Sequence, residues 1–439
     1  MDKRDLKKEF LMYTSLNILG MVGLSCYILA DTFFVSNGLG INGLTALNLA
    51  IPIYSLIRGV GLMLGIGGAT KYTIFNSQGK LKRANKIFTT TILISFIFSC
   101  LFIISAIFFS DTITTFLGAD QTVFAMTKKY LLTLLLFSPA FLLNDVFVCF
   151  TRNDNSPKLS MLSMLIGSMC NIVLDYIFIF PLNMGIFGAA LATGLAPIIG
   201  LLVLSIHIIK KKNNFYFIKI KLSIQQVKSI LVLGFPSFVT ELSSGIVIIV
   251  FNIIILRILG NIGVGAYGVV ANLSLVVTAV FTGIAQGVQP LLSRFYGQGN
   301  VIHVKKILHY ALYLMLLLSV ILYVIMFVYN KQIVSLFNSE NNVQLQLVAE
   351  AGLRLYFLAL PFAGYNIIMS IYFTSVEKPI PSQLISLLRG LFLIIPVVIC
   401  LAFILKINGV WLSYPLTELL VALFAVIIYF KISRYEKRL

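Results

Sequence analysis

Twelve apolar stretches, each long enough to cross a lipid bilayer, follow one another along this chain with polar or basic residues between them. They fall at about 11–36, 44–70, 88–110, 128–151, 160–182, 186–209, 228–257, 264–293, 307–329, 346–374, 382–406 and 408–431. Runs of that length predict helices, because in lipid each backbone N–H and C=O must be satisfied within its own segment. The expected fold class is therefore an all-α polytopic membrane protein with twelve transmembrane helices.

The order of these runs repeats. Gly40, Gly43, Ala46, Gly67, Gln78, Gly79, Lys86 and Ile87 recur about 220 residues later as Gly260, Gly263, Ala266, Gly287, Gln298, Gly299, Lys306 and Ile307. The register then slips by two, matching Pro139, Asn144 and Pro157 to Pro361, Asn366 and Pro379, and by two more, matching Gly185 and Thr193 to Gly409 and Thr417. Two pseudo-symmetric six-helix lobes are expected, at residues 1–209 and 228–439, joined by a polar, basic linker at 210–227. Duplicated bundles of this kind are the architecture that secondary transporters use for alternating access.

Composition agrees with a membrane solvent: 59% of residues are hydrophobic, mean hydropathy is +0.99, and only 11% are charged against about 25% in a soluble domain. The net charge of +18 has no polar domain on which to gather, which argues against a nucleic-acid partner. Instead the basic residues sort by side. Of the 33 Lys and Arg, 25 fall on the termini and the alternate loops that share a side with the N-terminus, including Lys71 to Lys86, Lys210 to Lys228, Lys305, Lys306 and the C-terminal four. Only Lys128, Lys129, Arg257, Lys331 and Lys406 fall on the other side. Positive loops stay cytoplasmic, so both termini are expected to face the cytoplasm in a multi-pass cell-membrane protein.

Cys26, Cys100, Cys149, Cys170 and Cys400 lie in or beside apolar runs without CxxC spacing and are expected to be buried packing thiols. His207, His303 and His309 are expected to be interfacial. No HExxH or Cys/His set for a metal, no GxSxG, and no Cys with a plausible His partner is present, which weighs against an intramembrane enzyme and against a cofactor.

The chemistry rests on five acids inside apolar runs: Asp31, Asp145, Asp175, Glu241 and Glu418. A carboxylate in hydrocarbon costs on the order of 3 kcal/mol even on insertion scales, so each needs water, a partner, a cation or a proton. The alternative for each is a structural ion pair with Arg58, Arg354 or Arg389. Asn171 and Asp175 are one helical turn apart and share a face. Asp31 and Thr193 fall at a similar depth, so two carboxylates, a carboxamide and a hydroxyl are placed to converge in the outer half of the first lobe. Such an oxygen set suits Na⁺, or a carboxylate pair holding a proton. Glu241 is placed to draw a cationic compound into the cleft between lobes, or to pair with an arginine such as Arg389. Gln286 and Gln289 share a face and either line the cavity or bond between helices, and Asn144 is a further cavity candidate. Asp145, near Arg152, reads as a structural or gating charge, and Glu418 as a second-lobe structural acid.

Longer stretches carry a family resemblance. ADTFFV (Ala30 to Val35), TRNDNSPK (Thr151 to Lys158), NIVLDYIFIF (Asn171 to Phe180) and GIFGAALAT (Gly185 to Thr193) resemble the first lobe of multidrug and toxic compound extrusion transporters. PSFVTELSSG (Pro236 to Gly245), GIAQGVQP (Gly283 to Pro290) and GVWLSYPLTELL (Gly409 to Leu420) resemble the second lobe. The likeness is to the prokaryotic branch containing DinF and MepA proteins, and it implies a V-shaped pair of lobes. It also implies a first-lobe cation site at Asp31, Asn171, Asp175 and Thr193, and exchange of Na⁺ or H⁺ entry for efflux of amphipathic, often cationic, compounds. Helix 4 departs from the pattern, with Val148 and Cys149 where paired asparagines are expected. The expected partners are small-molecule drugs or metabolites and membrane lipid, with the chain acting as a monomer. The alternative is a lipid or oligosaccharide flippase of the same wider superfamily, which usually carries extra helices or a strongly basic cavity.

Overall fold

The computed structural model describes residues 3–338 and 342–436; Lys437 and Arg438, counted above among the basic termini, lie outside them. Among the described residues every regular element is helical. In the first half these are α1 (Lys3–Ser77), α2 (Leu81–Phe116), α3 (Phe124–Leu136), α4 (Ser138–Asn153), α5 (Pro157–Ile179) and α6 (Gly185–Ile209). In the second they are α7 (Ile224–Gly297), α8 (Val301–Val328), α9 (Asn330–Phe337), α10 (Val343–Tyr356), α11 (Leu360–Ser375), α12 (Pro379–Leu387) and α13 (Ile394–Glu436).

Eight continuous or near-continuous helical segments are long and apolar enough to cross a membrane, or nine if α3 and α4, bent by 48° at Phe137, form one span. Three of these contain a break. Gly40 (φ 65°) divides α1, Gly260 (φ 62°) divides α7, and Lys406 (φ 52°) divides α13. Treating each limb as its own crossing is consistent with twelve spans, and the boundary expected as a loop near residue 40 is a one-residue break in the helix. Glycine takes a positive φ without the Cβ clash other residues meet, so it can turn a helix within one peptide unit. The duplication is visible in these angles: Gly79 and Gly299 (φ 72° and 71°) and Asn155 and Glu377 (φ 59° and 54°) are also matched positions.

Helix starts follow local chemistry. Pro stands in the first turn of α4, α5, α11 and α12, where the missing N–H is no loss. Asn300 caps α8 by accepting from the His303 N–H at 3.1 Å, and Asn342 caps α10. Before α3, Asp120 accepts from Thr122 Oγ1 at 2.6 Å and the Val123 N–H at 3.1 Å, bonds that hold its carboxyl below the ordinary aspartate range. Internal prolines at 52, 197, 236, 290 and 415 stay within helices, as membrane bundles tolerate. The seventh run starts earlier than expected, at Ile224. The short helix α9 and a wide π-turn at Leu388–Phe392 were not foreseen.

Within the first half, α1 packs on α2 to α6; within the second, α7 packs on α8 and α10 to α13; the halves meet chiefly along α1 and α7. That seam is closest at the end carrying most basic loops. A Cβ on Gly234 would lie 1.8 Å from the Met63 carbonyl oxygen, and one on Gly67 would lie 2.1 Å from that of Ile230. Arg294 grips Glu9 with two hydrogen bonds at 2.6 and 2.8 Å, and Lys71 pairs with Glu377 across the same end. Large apolar side chains such as Phe108, Leu202 and Phe403 (91% exposed) point outward, a surface that water would penalise and lipid accepts.

The linker is not slack. His207 Nε2 lies 2.9 Å from Asp154 Oδ2, and Asp154 accepts from the Asn214 backbone and side chain at 2.8 and 2.9 Å. Phe215 is buried among Tyr72, Phe88, Phe147 and Phe150. The Tyr216 N–H donates to Asn85 Oδ1 at 2.7 Å and that of Ile218 to Thr89 Oγ1 at 3.3 Å. His207 is therefore a buried, bonded residue rather than an interfacial one. The cysteines also need correction: only Cys149 is buried, while Cys26, Cys100 and Cys400 are exposed. Hydropathy marks a thiol as apolar, but in a membrane protein the outside is apolar as well.

Candidate functional site

The five intramembrane acids separate by counterion. Asp145 pairs with Arg58 at 3.4 Å, not with Arg152 as its position in the chain suggested. Arg152 is fully buried and donates to Asn17 Oδ1 at 2.7 Å and Gln286 Oε1 at 2.9 Å, joining α4 to both long seam helices. Glu241 lies in the field of Arg58 rather than beside Arg389. Arg389 instead clasps Glu418 at 2.7 and 3.1 Å, and Asn366 donates to the same carboxylate at 2.6 Å. Among the described residues Arg354 meets no acid; it donates to Asn330 at 3.3 Å and lies over Phe327.

That leaves Asp31 and Asp175, both buried, for which no basic partner is found among the described residues. They lie within electrostatic reach of each other. Asp31 comes from the first limb of α1 and Asp175 from α5. Asn171, one turn before Asp175, is oriented so that both amide ends are satisfied: its nitrogen donates to Asp175 Oδ2 at 3.1 Å and its oxygen accepts the Thr193 N–H at 3.2 Å. Thr193 Oγ1 donates to the Ala189 carbonyl at 3.0 Å and faces the cavity. One oxygen of each carboxylate, Oδ1 of Asp31 and Oδ1 of Asp175, is buried without a hydrogen-bond partner. The pair thus presents acceptor oxygens only, a donor set that fits a hard monovalent cation or a shared proton.

Sequence reasoning missed the phenols around this pair. Tyr130 on α3 lies near Thr193 and in the field of Asp31 and Asp175. Tyr27, one turn before Asp31, meets Tyr54 with hydroxyl oxygens 2.5 Å apart, and Tyr54 lies near Arg58 and Asp145. With 19 tyrosines in the chain, no pattern singled these out.

A cavity of about 60 Å³ is reached by Thr193 and Tyr27, neighbours of the pair, and by Tyr54, Arg58, Asn144 and Asp145, while Asp31 and Asp175 themselves do not line it. A water needs roughly 10–15 Å³ by this measure, so the space holds a few waters or an ion but not a drug in this conformation. Asn144 Oδ1 is buried and unpartnered there, and Gln286 reaches the same cavity from α7. Gln289 is turned elsewhere, accepting from Asn153 at 2.8 Å and donating to Thr70 at 2.9 Å across the seam. Val148 and Cys149 make that cavity wall less polar than paired amides would.

Glu418→Gln is expected to cost about 3–5 kcal/mol, because it strands the buried Arg389 guanidinium. Thermal unfolding in detergent checks this; an unchanged midpoint would show that Arg389 is satisfied elsewhere.

A duplicated bundle of membrane-crossing length, holding a pair of buried acids that no basic group among the described residues compensates, defines a membrane transporter rather than an enzyme. The MatE family profile matches residues 17–177 and 236–404, one match in each half. The chain belongs to that family. It is 25% identical over 390 residues to the multidrug export protein MepA of Staphylococcus saprophyticus, covering 88% of this chain and 85% of the relative. MepA of Staphylococcus aureus strain MRSA252 is 24% identical over 391 residues, with 88% and 85% covered. Among solved structures, the fold matches an outward-facing multidrug resistance MATE family transporter of the MOP superfamily with TM-score 0.92 and 22% identity, over 98% of this chain and 97% of that one. It also matches the Asp-to-Asn mutant of the Vibrio cholerae transporter VcmN with TM-score 0.91 and 21% identity, over 98% of each.

Proposed function

We propose that the protein is a secondary active exporter that exchanges inward movement of Na⁺ or H⁺ for efflux of amphipathic, often cationic, organic compounds. The observation that carries this reading is the pair Asp31 and Asp175, buried without a basic partner among the described residues and each with one unpaired oxygen. A proton or cation bound there removes the charge that resists burial, so the first lobe, residues 1–209, can repack when loaded. Coupling then requires that ion and cargo favour different states of that lobe or compete for it. The names of the MepA relatives favour drug-like cargo. A flippase for phosphate-bearing lipid is less favoured, since the cavity's arginine, Arg58, is engaged by Asp145.

In proteoliposomes with Na⁺ and pH gradients imposed separately, one of the two gradients is expected to drive efflux of a fluorescent organic cation. Efflux that responds to neither sinks the reading. The cytoplasmic placement of the termini and basic loops has its own check. Single cysteines at Lys80, Lys212 and Lys305, in a background lacking native Cys, are expected to resist impermeant thiol reagents on intact cells, whereas cysteines at Ile41 and Leu182 are expected to label. Labelling at the first three reverses the orientation.

A further inference from the structure

The second half contains a cavity of about 160 Å³ lined by Ser and Thr hydroxyls, three tyrosines and the Arg389–Glu418 pair. It occupies the same place in the repeat as the first-half cavity. Tyr54 and Arg58 there correspond, at the offset of the matched glycines, to Ser274 and Thr278 here; Met164 and Gly167, at the slipped offset, correspond to Ser386 and Arg389. The duplication therefore kept the cavity and changed its chemistry. Asp31 corresponds to Phe251, and Asp175 to Val397 or Ile399 on either side of the last slippage, all apolar. The acid that remains, Glu418, is neutralised by three bonds from Arg389 and one from the Asn366 amide.

A site with no uncompensated charge disfavours an ion, since burying one without a partner costs several kcal/mol. Its hydroxyls disfavour a plain hydrocarbon, because covering them leaves polar groups unpaired. Ser243 Oγ in the wall is already buried without a partner. Size narrows the choice further: an engineered cavity of about 150 Å³ holds one benzene ring. We propose that this cavity is a second ligand site, taking neutral compounds of about one ring that carry hydroxyl or amide groups. The exporter reading enters only in making such compounds cargo.

The chain supplies its own reporter. Trp411, the single tryptophan, is fully buried with its ring 6.2 Å from that of Tyr267 in the cavity wall. The probe is 4-nitrobenzyl alcohol, a neutral one-ring alcohol whose nitroarene quenches indole fluorescence, titrated into the purified full chain in detergent. Saturable quenching is expected, retained in Asp175→Asn. Ser274→Phe, which fills the cavity, is expected to weaken it at least about tenfold. Thr278→Val keeps the shape and removes one hydroxyl, so it is expected to weaken binding about fivefold and serves if the bulkier variant does not fold. Linear, unsaturable quenching, or an affinity that neither substitution changes, overturns the site. So does a preference for the permanently charged trimethylammonium analogue that depends on Asp175. Saturable binding without gradient-driven efflux of the alcohol would keep the site and remove its role in export; efflux without saturable binding would do the reverse.

Discussion

Asp175→Asn, and separately Asn171→Ala, are expected to lower gradient-driven efflux by on the order of 100-fold, near the upper end of ordinary site-to-site coupling of about 1–3 kcal/mol. Folding should survive both changes. Asp175 has no buried cation to strand, unlike Glu418, and its neutral amide keeps the shape of the side chain. Loss of the Asn171 amide removes the bond to Asp175 and the bridge to the Thr193 backbone, so the pair loses its fixed geometry rather than its charge. Asp31→Asn tests the other member. It imitates a carboxyl that is permanently protonated and should hold the first lobe in its loaded form, stopping exchange while leaving cargo binding measurable. Binding followed by fluorescence at several pH values, beside efflux under an imposed gradient, separates these outcomes. Efflux at the native rate in both Asp variants would dismiss the pair as the coupling site.

The second large effect is expected at the seam. Gly234→Ala places a methyl carbon 1.8 Å from the Met63 carbonyl oxygen, far inside any contact that real side chains make, and the opposing atom is backbone that cannot rotate away. The two long helices must separate, at a cost of about 1–3 kcal/mol or more. The ion pairs at the same end do not compensate. Arg294 with Glu9 and Lys71 with Glu377 are all 16–28% exposed, and such pairs contribute about 0–1 kcal/mol. Backbone proximity, not charge, is therefore what closes this end. Gly234→Ala should lower the unfolding midpoint and speed thiol labelling of Thr70→Cys, a position fully buried beside the crossing, three residues past Gly67. If labelling and midpoint both match the parent, the crossing does not control access.

The element plan was legible because lipid enforces it: run length, glycine spacing and the repeat located the helices and the breaks at Gly40 and Gly260. Asp31, Asn171, Asp175 and Thr193 could be grouped from depth and helical spacing, and the structure places them together. What stayed hidden were contacts between helices distant in the chain. Hydropathy gave no sign that Asp145 would meet Arg58 rather than nearby Arg152, or that Arg389 would choose Glu418. The bend at Phe137 and the π-turn at Leu388–Phe392 have no marker of their own in composition, since both lie in apolar sequence that reads as regular helix.

The stitched linker sets a length. From Asn214 to the Ile218 N–H the connection is bonded to the first half, and α7 begins at Ile224 with Gln226 in its first turn accepting from Thr90 Oγ1 at 3.3 Å, so residues 219–223 form the leash between two anchored points. Five residues reach at most roughly 17 Å when fully extended. The start of α7 therefore pivots within a short radius of the first half, and rotation about this end is allowed where wholesale separation is not. Lengthening the leash with glycine and serine should leave folding intact but loosen that pivot.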